Sequence, residues 1–257
     1  MPAPTDTKTG CYVYGIVPWD VELTGDARGI KNREIKLVRS DELAAMVSDI
    51  DISGPLGTPE DLQAHEEILD STATAAPVLP LRFGAVLTDE DAVVAELLRP
   101  HRDEFVQALQ ELDGRVQYLV GGRYAEDALL EEILSDNREA AELREAIRGS
   151  DPDATREQRI RLGEIVSNAI EAKREEDTRT LLAAVEGHCV ALSVREPTHE
   201  LDAANAACLT ETGEEDGLQR AVAELGENWD GRVELRVRGP MAPWDFVGTS
   251  AGQATRA

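Results

Sequence analysis

The sequence predicts an α+β fold in two domains. Three observations carry this. Short β-rich runs alternate with segments of helical periodicity along the chain, 257 residues exceed what one modest core usually organises, and 42% hydrophobic residues are enough to fill two. Aromatic residues make up only 4%, so the cores must be built from Leu, Val, Ile and Ala.

Taken in order, residues 1–10 are expected to be a disordered tail. Cys11–Val17 is a strand, with Tyr12, Tyr14 and Ile16 on one face. Glu34–Val38 and Leu43–Val47 are short strands around a turn at Ser40-Asp41. Thr58-Pro59-Glu60-Asp61 opens a helix: a capping hydroxyl, proline at the first helical position and an acid where the helix dipole favours one. Pro77 closes it. Residues 77–87 (PVLPLRFGAVL) then alternate as an edge or irregular strand, because two prolines remove two ladder donors. Thr88 with Asp91 starts another helix, which Pro100 interrupts before the stripe Phe105, Leu109 and Leu112.

Val116–Val120 is a strand ended by Gly121-Gly122. Helical stretches over 124–148 and 155–186 follow, the second opened by a Thr155/Gln158 capping box and carrying an exposed Glu175/Arg179 pair. Cys189–Val194 and Ala206–Thr210 are strands, Glu214–Leu225 a helix, and Arg232–Arg238 a strand with Val233, Leu235 and Val237 on its inner face. From 115 to 238 the order is strand, helices, strand, strand, helix, strand. This is the βαββαβ order of a modified ferredoxin-like sandwich with an enlarged helical insertion. The expected domains are therefore 11–112 and 113–247, with 248–257 a second disordered tail.

Lys and Arg number 26 against 51 Asp and Glu, a formal net charge of −25. Such a surface repels phosphate backbones and anionic headgroups, which disfavours nucleic acid and membrane as partners, and it favours solubility. No apolar run approaches the ~20 residues that span a bilayer, and no secretory signal is expected at the start. Cys11, Cys189 and Cys208 have no CxxC spacing and suit a reducing intracellular compartment.

Catalytic signatures are missing. His65-Glu66-Glu67 begins like a zinc-protease helix, but Leu69 stands where the second histidine is needed. His65, His101, His188 and His199 are scattered, so no metal or cofactor is expected. His188 and Cys189 are neighbours on an expected strand, so their side chains diverge. There is no G-x-S-x-G elbow, P-loop or G-x-G-x-x-G, and the chain is expected not to be an enzyme.

Three segments stand out instead. Tyr12-Val13-Tyr14-Gly15-Ile16-Val17 carries two of the four tyrosines. Leu79-Pro80-Leu81-Arg82-Phe83-Gly84 sets a lone arginine on an apolar face, where it either pairs with a carboxylate or reaches out to a partner. Gly239-Pro240-Met241-Ala242-Pro243-Trp244-Asp245-Phe246 ends in two aromatics, which either fold back onto a core or anchor a partner. These segments, with His65 and in this order, resemble the gas vesicle protein F/L family (GvpF/GvpL) over roughly residues 11–247. The chain departs from the family at its end, where Met241-Ala242-Pro243-Trp244 replaces a bulky or aromatic residue, two prolines and tyrosine.

The resemblance implies an accessory and minor structural protein of gas vesicles, found in the cytoplasm and at the vesicle. It implies that the chain binds the hydrophobic shell protein GvpA and other Gvp accessory proteins during assembly, with two α+β domains and no enzymatic activity. Arg82, Phe83, Pro240, Trp244 and Phe246 are the candidate partner-binding or bracing residues. The alternative from the residues themselves is a regulatory or self-associating ligand-binding module of ferredoxin-like fold.

Overall fold

The structure, a computed structural model, describes residues 9–23, 27–54 and 56–247. The expected tails lie outside the described residues, except that Thr9 and Gly10 already belong to the first strand. The fold is α+β, with two antiparallel sheets in two compact units. One unit comprises the described residues up to Gln117 and those from Gly239 onward; the other is Tyr118–Arg238. The sequence places 239–247 with the second domain, but here the last strand carries them back into the first unit.

In the first unit, β1 (Thr9–Pro18) is the central strand, and its neighbours are laid down on both sides of it. β2 (Lys36–Ser40) and β3 (Leu43–Asp51) form a hairpin whose second strand pairs with β1 from Thr9↔Asp51 to Pro18↔Leu43. The register slips between Val13 and Gly15, a bulge at Tyr14. α1 (Pro59–Ala73) starts as expected: the Thr58 hydroxyl accepts from the Asp61 N–H at 3.2 Å, completing a capping box.

The expected single strand after Pro77 is instead two short ones, β4 (Leu79–Pro80) and β5 (Val86–Leu87), both on β1. The Leu81 N–H donates to Tyr14 O and the Val13 N–H to Ala85 O, both at 2.9 Å. Between those two bonds Arg82-Phe83-Gly84 leaves the sheet as a loop, with Gly84 at φ +92°. Leu81, Phe83 and Ala85 therefore do not share a strand face. α2 (Glu90–Ala92) is capped by Asp89 rather than Thr88 and continues as a π-helical turn, Val93–Leu98, before α3 (Arg102–Leu112). The core of this unit gathers Tyr12, Tyr14, Ile30, Met46, Ile50 and Leu69, all at most 1% exposed.

The second unit's sheet runs β7-β8-β6-β9. β6 (Arg115–Tyr124) passes through Gly121-Gly122 instead of ending there. A Cβ on Gly122 would meet Val233 Cγ1 at 3.0 Å and Leu235 Cδ2 at 3.1 Å, so the glycine allows a close approach of the last strand. The expected 124–148 helix is split into α4 (Glu126–Asp136) and α5 (Arg138–Ile147). Asn137 takes a non-helical conformation there, and its side chain caps the Ala140 N–H.

α6 (Arg156–Val185) begins without the expected capping box, because the Thr155 hydroxyl donates to Asp151 O instead. Arg179 meets the carbonyl of Glu175 rather than its carboxylate. β7 (Ala191–Val194) starts two residues later than expected. β8 (Asp202–Glu211), α7 (Glu215–Asn228) and β9 (Val233–Met241) are longer than expected. No helix among the described residues is long and apolar enough to cross a membrane.

Candidate functional site

In the first unit, the opening strand, the Arg82 loop and the closing segment meet at His65. His65 lies on the inner face of α1 and is 2% exposed. Its Nε2 is 3.0 Å from Leu81 O and its Nδ1 2.9 Å from Tyr12 Oη. A carbonyl can only accept, so Nε2 carries the proton and Nδ1 accepts from the tyrosine hydroxyl. Tyr12 Oη in turn accepts the Gly84 N–H at 3.2 Å. A relay thus runs from Gly84 through Tyr12 and the neutral imidazole to Leu81, closing the base of the loop. Burial holds the His65 pKa down at about 4 and pushes Tyr12 above its ordinary range.

Aromatic rings pack around this histidine. Tyr14 stacks on it with centroids 5.6 Å apart, Phe83 meets it edge-on at 5.6 Å and Trp244 lies tilted at 5.8 Å. Tyr12 and Tyr14 share one side of β1, with centroids 4.9 Å apart, beside the bulge at Tyr14. The Tyr14 hydroxyl donates to Ser48 Oγ at 3.1 Å and accepts the Ile30 N–H at 3.0 Å. Gly29 is needed beside it, since a Cβ there would fall 1.9 Å from Tyr14 Oη.

The closing segment is held by side chains on either side of it. Asp70 accepts the Ala242 N–H at 2.9 Å. Gln117 Nε2 donates to the Asp245 carboxylate at 2.7 Å, and Gln117 Oε1 accepts the Asp245 N–H at 3.0 Å. Met241, Ala242 and Pro243 are buried, while Trp244 and Phe246 are half-buried.

The structure brings together Phe83 and Trp244 of the five candidate residues, each against His65. Arg82, next to Phe83, is exposed and makes no ion pair among the described residues. Pro240 is exposed, follows a cis peptide bond from Gly239 and touches none of these rings in a ring contact. Phe246 donates its N–H to Pro243 O at 3.0 Å, within the turn itself. Sequence reasoning missed Gly29, Ser48, Asp70, Gln117 and Asp245. None stands in a pattern that marks it, because each matters only through a partner distant in the chain. Among the described residues no three His, Cys, Asp or Glu side chains gather as a metal site.

Comparison with known proteins adds a second line. The family model of the gas vesicle synthesis protein GvpL/GvpF matches residues 10–248. Gas vesicle protein F of Streptomyces sp. (strain CB03234) is 33% identical over 249 residues, covering 92% of this chain and 98% of its own. Gas vesicle protein L of the same strain is 30% identical over 267 residues, covering 92% of each. The crystal structure of GvpF from Anabaena sp. PCC7120 superposes with a TM-score of 0.78 at 22% identity, covering 94% of this chain and 99% of that one. At that identity the likeness speaks for the fold.

Proposed function

The chain belongs to the gas vesicle synthesis protein GvpL/GvpF family, and we propose that it is a non-enzymatic accessory protein that binds the hydrophobic shell protein GvpA during vesicle assembly. In this account it works in the cytoplasm and at the vesicle, alongside other Gvp accessory proteins. The observation that carries the proposal is the meeting of two sequence-distant motifs, Arg82-Phe83 and Trp244, whose rings both pack against one buried histidine.

The arrangement supports a recognition surface rather than a reaction centre. The imidazole is neutral and its ring nitrogens are both committed, so it has no free position from which to move a proton. What it does is hold a half-buried apolar ring and, next to it, an exposed guanidinium that makes no ion pair among the described residues. An exposed arginine beside half-buried aromatics is the kind of group that anchors a protein partner. Holding one apolar face of a small shell subunit would suppress its aggregation before polymerisation.

The second unit is read as a modified ferredoxin-like module. Its chain-order strands lie as second, third, first, fourth across the sheet, with α4, α5 and α6 filling the first connection.

Co-purification of GvpA with the full chain tests the function. Arg82→Ala is expected to fold normally and to retain less than about a tenth of the bound GvpA, a loss typical of an interface anchor. Full retention of GvpA by both Arg82→Ala and Trp244→Ala, with native melting, contradicts the proposal.

A further inference from the structure

We propose that a second surface of the first unit, the cleft where α1 ends, docks a basic segment of another polypeptide. An apolar side chain of that segment sits on the floor and a lysine or arginine at the rim. This does not depend on the gas-vesicle reading, and it uses none of the residues around His65.

The cleft holds about 530 Å³, within the range of sites that take a short peptide's side chains. Its floor is apolar: Pro18, Val21, Ala76, Pro77 and the buried Leu109. Its rim is anionic, with Asp20, Glu22 and Asp113 all exposed and none of them in an ion pair among the described residues. Trp19, between two of the lining residues, is 55% exposed, a large ring left in water at the margin.

Two nearby cations are engaged with backbone carbonyls. Arg39 donates to Trp19 O at 2.8 Å and Val21 O at 3.1 Å, which fixes the strap of chain that carries Asp20. Arg115 donates to Glu111 O, a carbonyl near the end of α3. Among the described residues no basic side chain lines the cleft itself. α1 carries no basic residue in its last turn, so the partial negative charge of its carbonyl end adds to the three carboxylates. An acidic or neutral segment would set like charge or desolvated carboxylates against this rim. A lysine- or arginine-bearing one meets it with opposite charge and lays its aliphatic stem on the floor.

The test is calorimetric titration of the full chain with a capped hexapeptide of alternating lysine and leucine, and with its glutamate–leucine counterpart. The expected result is one-to-one binding of the lysine peptide only. Asp20→Asn/Glu22→Gln/Asp113→Asn should weaken it about tenfold with an unchanged melting temperature. Because the whole chain is acidic, a control removes three equally exposed charges from α6, Glu171→Gln/Glu175→Gln/Glu176→Gln, and should weaken binding less than about twofold. Ala76→Phe, which fills the floor, should abolish binding in a protein that still melts cooperatively.

Equal losses in the two triple variants, or no binding at all, overturn the proposal. So does concentration-dependent dimerisation of the free protein that the cleft triple variant removes, since the occupant is then a second copy of this chain.

Discussion

The two units bury polar groups in opposite ways. In the first unit, the polar groups that bond to His65 and to the two tyrosines are uncharged, and tyrosines, serine and imidazole satisfy one another among aromatic rings. In the second, a network of ions surrounds the buried carboxylate of Asp177. Arg232 donates to Asp177, whose side chain is 7% exposed, and the same carboxylate accepts the Tyr124 hydroxyl at 2.7 Å. Lys173 joins Glu132 at 2.7 Å and Asp136 at 3.1 Å, while the Arg232 guanidinium lies 5.3 Å from the Trp229 ring centre.

The lesson is one of division of labour. A neutral aromatic cluster holds a loop in place without exposing a reactive group. A network of paired ions ties the charged helix α6 to Tyr124 of β6 and to Arg232 just ahead of β9.

The comparison breaks most visibly if His65 is removed. His65→Ala leaves the Tyr12 hydroxyl without its acceptor and opens a cavity among four rings, and it is expected to cost about 4 kcal/mol. Hydrogen exchange should show the loss in β1 amides and leave those of β8 unchanged. In the second unit, Asp177→Ala strands the Arg232 charge and is expected to cost about 3 kcal/mol, read in β8 amides. There Asp177→Leu/Arg232→Met should recover most of the loss, because removing both ions removes the uncompensated charge. No comparable paired rescue is expected at His65.

Acid sharpens the contrast further. The folded His65 titrates at about 4 against 6.5 for the free side chain. Below about pH 6.5 the unfolded chain takes up a proton that the folded one refuses. The stability this histidine contributes is therefore whole above pH 6.5 and is lost by about pH 4, at about 1.4 kcal/mol per pH unit. Denaturant titrations at pH 7, 6 and 5 should show this slope in wild type, and His65→Gln should flatten it.

The two regions also differ in how far the sequence discloses them. Tyr12, Tyr14, Phe83 and Trp244 stand out because aromatics are scarce in this chain, and Arg82 because it is a lone charge in an apolar segment; their segments carry the family resemblance. Residues near in sequence were placed well, as with the Thr58–Asp61 cap and the order of strands and helices. The loop at 82–84 was not, since alternation alone cannot show that three residues leave the ladder while Leu81 and Ala85 stay on it. The Asp177–Arg232 network was invisible: each member is one charge among many on helices and strand ends, and only the fold brings residues 55 apart into contact. The helix break at Asn137 and the missing cap at Thr155 failed to show for a related reason. Short polar side chains can cap forward or bond backward, and local pattern does not choose between them.

The central claim is that the Arg82-Phe83 loop and the Trp244 turn present one partner surface through a shared histidine. A double-mutant cycle on GvpA affinity, with Phe83→Ala, Trp244→Ala and both together, tests it most directly. Groups that lean on the same ring should not act independently, so the account predicts a coupling of about 1 kcal/mol, with the double variant losing less than the sum of the single losses. Strictly additive losses, or two single variants that bind GvpA as wild type does, would contradict it.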